Sequence, residues 1–339
     1  MIIFKFNVKS IIVSSESCLM HFSLHKIDIY MKFLLLHIKN SSAQYLLLSF
    51  LMITIWGFAQ AKKDTIYIFY LGGQSNMQGY GKNIDLPKSL NKKVLDVMIF
   101  QGDSQKDNHP NGGNGFWDVL QPGYGTGFSS DGKLNKLSER FGIELSFADK
   151  IKKNYPNKKI AIIKYTRNGS SIDSIGTNSF GCWDPAFKSG SGKNQYDYFL
   201  KTVSKAMSTK DINNDGIEDV LVPAAILWMQ GESDGDKTEA IAQNYYTNFK
   251  QLMDLLRAAF RDNDLPILVA KISDSEQDTD GKVWNYGELV QYAQEKFVKN
   301  TKNAAIIRST KNYIYSDKWH YDSAGYIDLG IEFAKKVKL

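Results

Sequence analysis

A run of apolar and β-branched residues, Thr65–Leu71, passes directly into Gly72-Gly73-Gln74-Ser75-Asn76-Met77. The run lacks regular apolar–polar alternation, so it reads as a strand covered on both faces. The glycine pair at its end makes a tight turn that carries a serine to the edge of the sheet. A chain with this segment must place other strands beside it and layers above and below it. Candidate strands are Lys159–Lys164, Val220–Met229, Ile267–Lys271 and Ala304–Arg308. Between them fall amphipathic stretches that predict helices over Gly142–Lys153, Tyr196–Met207, Thr238–Phe260, Tyr286–Lys299 and Ser323–Val337. The alternation predicts an α/β protein, three layers α/β/α around a central parallel sheet of about five strands. Ser75, Gly169 and Gln230 each follow a predicted strand, at the edge where open α/β sheets hold ligands.

The first 61 residues differ from the rest. Met31-Lys32 opens a short basic region with Lys39, Tyr45–Phe58 is almost wholly apolar, and Ala59-Gln60-Ala61 has the pattern of a cleavage site. This layout predicts a secretory signal peptide from Met31, cleaved after Ala61, with residues 1–30 as an upstream extension. The expected location is therefore secreted or periplasmic. The apolar run is short for a membrane span, so none is expected after cleavage. Residues 62–339 read as one domain, and 43% apolar residues suffice for its core. The net charge of +6 comes without a cluster of Lys and Arg interleaved with aromatics, which excludes a nucleic-acid partner.

Two cysteines and five histidines limit the chemistry. Cys18 lies in the leader, so Cys182 stands alone and reads as a small buried apolar residue. His21, His25 and His37 also lie in the leader, leaving His109 and His320. That poor set argues against zinc. A serine hydroxyl is a weak nucleophile and needs a neighbouring base. His320 closes Ser316-Asp317-Lys318-Trp319-His320, where an acid three residues earlier can reach and orient the imidazole. His109, in a polar loop, has no acid at such spacing. The two segments predict a serine esterase with Ser75 as nucleophile, against the plainer readings of a helix N-cap at Ser75 and a surface turn at Asp317. No Gly-x-Ser-x-Gly elbow occurs, which argues against the α/β-hydrolase fold.

Gly-Gln-Ser-Asn-Met after the first strand, Trp228-Met229-Gln230-Gly231-Glu232-Ser233-Asp234 and Asp317-x-x-His320 together resemble the SGNH-hydrolase superfamily. Within it the chain is similar to the sialate O-acetylesterase and acetylxylan esterase group of carbohydrate esterases. The resemblance implies an SGNH, flavodoxin-like fold and a Ser75, Asp317, His320 triad working through an acetyl-enzyme. It also implies an oxyanion hole made by the N–H groups of Ser75 and Gly169 and the amide of Gln230. Asn168 stands where members often have a first glycine before Gly169. The implied partner is an acetylated polysaccharide or oligosaccharide, and no cofactor is required. Esters of non-sugar alcohols, and a silent glycan-binding protein with the same cleft, are the alternative readings.

Other segments have two readings each. Asp211, Asn213 and Asp215, with Gly216 next, match the start of a calcium loop, but Val222 stands where its glutamate belongs. The segment reads either as a structural calcium site or as a turn. Glu232, Asp234 and Asp236 read as solvated loop acids by default, or as groups that orient Gln230, shape the cleft or supply a second acid for the histidine. Glu144 reads as a supporting residue at a helix start. Between Asn83 and Arg140 the pattern breaks down, and Trp117, Tyr124 and Phe128 read either as a cleft rim for sugar rings or as part of a surface excursion.

Overall fold

The computed structural model describes residues 63–176, 180–188 and 194–339; the expected leader lies outside them. In chain order the elements are β1 (Thr65–Gly73), the one-turn helix α1 (Ser75–Gln78), β2 (Gly81–Lys82), β3 (Val94–Gln101), β4 (Trp117–Leu120), β5 (Ser129–Ser130), β6 (Asn135–Lys136), β7 (Arg140–Phe141) and α2 (Glu144–Asn154). They continue with β8 (Lys159–Thr166), α3 (Gln195–Ser208), β9 (Val220–Met229), α4 (Glu232–Asp236), α5 (Glu239–Ala259), β10 (Ile267–Ala270), α6 (Gly287–Asn300), β11 (Ala304–Ile307) and α7 (Ser323–Lys336). Every strand and helix expected from pattern is present, with ends shifted by a few residues at most.

The main sheet has seven strands in the order β11-β10-β9-β1-β8-β3-β4. All neighbours are parallel except β3 and β4. β3 and β4, which the pattern did not reveal, come from the 83–140 region. β3 has an exposed beginning and β4 is four residues long, so neither shows the unbroken apolar run of the central strands. From β1 the chain winds out to β3 and β4 and returns to β8. It then crosses to β9 on the other side of β1 and continues to β10 and β11. The direction of winding reverses about β1, which places the crevice of the sheet at its carboxyl end.

Successive residues of β1 point to opposite faces, and each finds a layer of its own. Phe69 meets Phe147 of α2 edge-on at 5.0 Å. Tyr70 meets Phe199 of α3 at 5.0 Å and Phe260, just beyond α5, at 5.7 Å. Burying rings of this size on both sides is the largest favourable contribution to such a core. Helix starts are fixed by side chains that accept otherwise unpaired N–H groups: Thr238 from Ile241 and Asp322 from Gly325. Among the described residues no helix is long and apolar enough to cross a membrane.

Trp117, Tyr124 and Phe128 form neither a rim nor a surface excursion; all three are buried. Trp117 packs on Phe100 at 5.6 Å and donates its indole N–H to Ala206 O at 3.1 Å. Tyr124 and Phe128 pack on each other at 5.2 Å. Cys182 is also buried, and burial pushes its thiol up, so it remains a thiol.

Candidate active site

The turn after β1 is pressed against β9. Gly73 has φ +140°, and a Cβ there would stand 1.9 Å from Met229 O, so only glycine fits. Gln74 N–H donates to Met229 O at 2.9 Å, and its side-chain carbonyl accepts from Gly231 N–H and Ser233 N–H, both at 3.3 Å. On the other side Arg167 N–H donates to Gly73 O at 3.0 Å. Ser75 thus sits on the first turn of α1 between the ends of β8 and β9, with its residue 6% exposed.

Asn76 is the junction of the site. Its Nδ2 donates to Glu232 Oε1 at 2.8 Å and to Trp319 O at 3.1 Å. Its Oδ1 accepts from the Tyr326 hydroxyl at 2.8 Å and from Tyr321 N–H at 3.4 Å. One buried amide therefore ties the residue next to Ser75 to both chain neighbours of His320. No hydrogen bond joins Ser75 Oγ to His320 among the described residues; Asn76, by hydrogen bonds, and Tyr80, by stacking on His320, bring their segments together. Glu232 is buried, and its second carboxylate oxygen has no hydrogen-bond partner among the described residues. Burial is the main reason its carboxyl is pushed up to about 7, against the lowering effect of Asn76.

Asp317 and His320 form one closed loop. Asp317 Oδ2 lies 2.8 Å from His320 Nδ1, while Oδ1 accepts the N–H groups of Trp319 and His320, each at 2.8 Å. Burial alone would raise the Asp317 carboxyl. The bonds from the His320 ring and from Trp319 N–H outweigh it and hold the carboxyl below its ordinary value. For His320 burial is again the largest influence, and it lowers the imidazole; Asp317 opposes this and Arg140 adds to it. The ring is therefore neutral at pH 7, as a proton acceptor must be. Tyr80 lies flat on it, with ring centres 3.5 Å apart at 7°. Asn168 Nδ2 donates to the Tyr80 hydroxyl at 2.8 Å, and Arg140 to Tyr80 O at 2.5 Å.

The donors expected for an oxyanion are not in equal states. Neither Ser75 N–H nor Gly169 N–H is spent on a hydrogen bond within the described residues. Gly169 has φ +64°, and a Cβ would lie 2.8 Å from the Phe180 ring, which keeps this position bare. Gln230 is wholly buried. Its Nε2 donates to Asp234 at 2.5 Å and to Ser170 O at 3.3 Å, and its carbonyl oxygens accept from the Tyr245 hydroxyl. Both amide hydrogens are therefore engaged, the one on Ser170 O by a long bond.

Glu232 and Asp234 are not solvated acids. Asp234 is fully buried and accepts the N–H groups of Ile172 and Asp173 as well as Gln230, so it links the ends of β8 and β9. Burial pushes its carboxyl up to about 6 despite these bonds. Asp236, by contrast, is partly exposed and paired with Lys237. Glu144 is buried against Lys164 at 2.9 Å, with both side chains at 0% exposure. Lys164 also donates to Gln78 O at 2.9 Å and Tyr124 O at 2.8 Å, which puts its ammonium at the carboxyl end of α1.

Two segments stay apart from this constellation. His109 Nδ1 accepts from Asn111 N–H at 3.3 Å in the loop after β3. In the 211–219 loop Asp211 accepts from Asp215 N–H and Gly216 N–H, Asn213 from Asp215 N–H, and Asp215 from Ile217 N–H. These side chains satisfy the backbone of their own turn. Among the described residues no group of three or more His, Cys, Asp or Glu is placed to hold a metal.

A family model described as carbohydrate esterase, sialic acid-specific acetylesterase matches residues 65–338. Among solved structures, a protein of Arabidopsis thaliana superposes with a TM-score of 0.54 at 20% identity, covering 79% of this chain and 96% of that one. A carbohydrate acetylesterase from Xanthomonas citri gives a TM-score of 0.53 at 16% identity, over 79% of this chain and 55% of that one. At these identities the two structures establish a common fold. No curated protein matches the sequence.

Proposed function

This chain belongs to the carbohydrate esterase, sialic acid-specific acetylesterase family, and from that premise we propose that it deacetylates sugars by serine catalysis. Membership makes it a carboxylic-ester hydrolase, and acetylated sugars are the substrates the family implies. In the proposed mechanism Ser75 Oγ attacks the acetyl carbonyl while His320 Nε2 takes the serine proton. His320 Nδ1, 2.8 Å from Asp317, is held in the orientation this requires. The tetrahedral oxyanion forms against Ser75 N–H and Gly169 N–H. Gln230 adds a donor when the substrate oxygen displaces the long bond to Ser170 O. The imidazolium then gives its proton to the sugar oxygen as the C–O bond to the acetyl carbon breaks, releasing the sugar hydroxyl, and water repeats the cycle on the acetyl-enzyme.

The observation that carries this reading is the Asn76 junction, which fixes a serine turn and an Asp–His loop against each other. The absent Ser75–His320 bond is of the kind that tightens when substrate fills the site. The test is acetate release from acetylated xylan and from O-acetylated sialic acid, with Ser75→Ala as control. Release is expected to fall at least about 1,000-fold in the control. Release that persists there would remove Ser75 from the role.

Export is part of the proposal and rests on the leader sequence. N-terminal sequencing of protein recovered outside the cytoplasm is expected to begin at Lys62. A mature chain that still carries Tyr45–Phe58 would overturn it.

A further inference from the structure

We infer that Trp319 is the platform on which a sugar ring of the substrate rests; this depends on the esterase reading above. Trp319 stands between Asp317 and His320, and its backbone is bound at both ends. Its N–H donates to Asp317 at 2.8 Å and its carbonyl accepts from Asn76 at 3.1 Å. The preceding residue is bound as well. Lys318 O accepts from the Ser275 hydroxyl at 2.7 Å, and the Lys318 ammonium pairs with Asp278. The Trp319 indole is held less: the residue is 48% exposed, its N–H donates to nothing among the described residues, and the Lys318 ammonium lies 5.9 Å from its ring centre.

A single exposed aromatic side chain needs no function by itself. Trp319 is distinguished by its place. Its ring centre lies 6.4 Å from that of His320, and the tilt between them is 64°. Tyr80 covers one face of the His320 ring in close stacking, so substrate has to approach from elsewhere. On the esterase reading His320 hands its proton to the sugar oxygen that leaves. The sugar bearing that oxygen must then lie against His320, within about one ring width of Trp319. An indole offers such a sugar two complementary features, a flat apolar face for the C–H side of a pyranose and an N–H for one of its hydroxyls. Because Asp317 and Asn76 hold the backbone, little further ordering is needed when the sugar binds.

Trp319 therefore selects ring-shaped alcohols over small acyclic ones, and it does so through binding. The test compares kcat/KM of Trp319→Ala and Trp319→Phe with the parent on three esters: acetylated xylo-oligosaccharides, O-acetylated sialic acid and ethyl acetate. Ethyl acetate is used because an aryl acetate has a ring that could itself stack on the indole. Thermal melts of each variant are taken alongside. Trp319→Ala is expected to lose at least about ten-fold more on the sugar ester than on ethyl acetate, through a raised KM, and Trp319→Phe to recover most of it. Equal losses on sugar and ethyl acetate would assign the indole to loop support and overturn the inference, as would an unchanged sugar rate. Failure of the esterase reading shows separately, as hydrolysis that survives Ser75→Ala.

Discussion

On one side of Asn76 every group near the nucleophile is enclosed: Gln74, Glu232 and Asp234 are each no more than 2% exposed. On the other side the Asp317 side chain is 43% exposed and Trp319 48%. The same amide bonds both, yet the two sides are held by different physics. In the enclosed half each hydrogen bond works in a low dielectric, and a lost partner leaves a desolvated polar group behind. In the open half water can replace a lost partner. The enclosed half can hardly change without loss of the fold. The open half can change its substrate while the fold stays the same.

Ion pairs test this comparison most strongly. Lys164→Met leaves Glu144 buried and unpaired, and it should destabilise the protein by about 3–5 kcal/mol. Lys318→Ala breaks the Lys318–Asp278 pair, whose side chains are 32% and 34% exposed, and it should cost under about 1 kcal/mol. Urea unfolding of both variants measures the difference. Similar losses would show that the open loop is as tightly built as the core, and the comparison would fail.

Asn76→Ala comes next, because it acts on the joint itself. It removes the side-chain hydrogen bond to Glu232 and leaves the Tyr326 hydroxyl without its acceptor. A loss of about 1–3 kcal/mol is expected. The rate should suffer separately, since Ser75 and His320 would no longer share an anchor. We expect kcat to fall about ten- to a hundred-fold with little change in KM. A variant that unfolds more easily but keeps its kcat would show that Asn76 holds the fold and not the alignment.

The sequence made one kind of feature readable and hid another. The contact between Asp317 and His320 could be read because three residues of spacing bring the side chains together in any tight loop. The central strands could be read because burial on both faces leaves an unbroken apolar run. β3 and β4 could not, since an edge strand with one exposed end loses that signature. Tyr80 and Asn76 escaped for another reason: their partners around His320 lie far away in sequence, 243 residues for Asn76 and Trp319, and no local pattern records such a contact. For Glu232 and Asp234 the default reading of solvated acids fails because both are buried, while the alternative that these acids orient Gln230 holds for Asp234. One clue stood in the chain, since Gln230 and Asp234 are four residues apart at a helix start, where side chains meet. The aromatics of the 83–140 region fit neither reading given them, for the opposite reason. Composition shows a ring but not whether it faces water.

The finest test of the comparison uses pH, because each half has a shifted titratable group, Glu232 upward and His320 downward. Glu232, raised to about 7 by burial, keeps in the folded state a proton that the unfolded chain gives up at ordinary carboxylate pH. Its contribution to stability is full below the unfolded value and is lost as pH rises through about 7. His320 is shifted the other way. Its folded value lies below the usual 6.5, so its contribution is present above the unfolded value and is lost as pH falls through the folded one. Activity on the proposed mechanism needs the neutral imidazole, and the acid limb of kcat/KM should have its midpoint below pH 6.5. Glu232→Gln keeps an acceptor for Asn76 and removes the buried charge. It should stabilise the protein by about 1–3 kcal/mol at pH 8 and by much less at pH 5, with the acid limb left in place. If that substitution moves the acid limb, Glu232 and His320 titrate as a pair, and the enclosed half reaches through Asn76 into the chemistry of the open one.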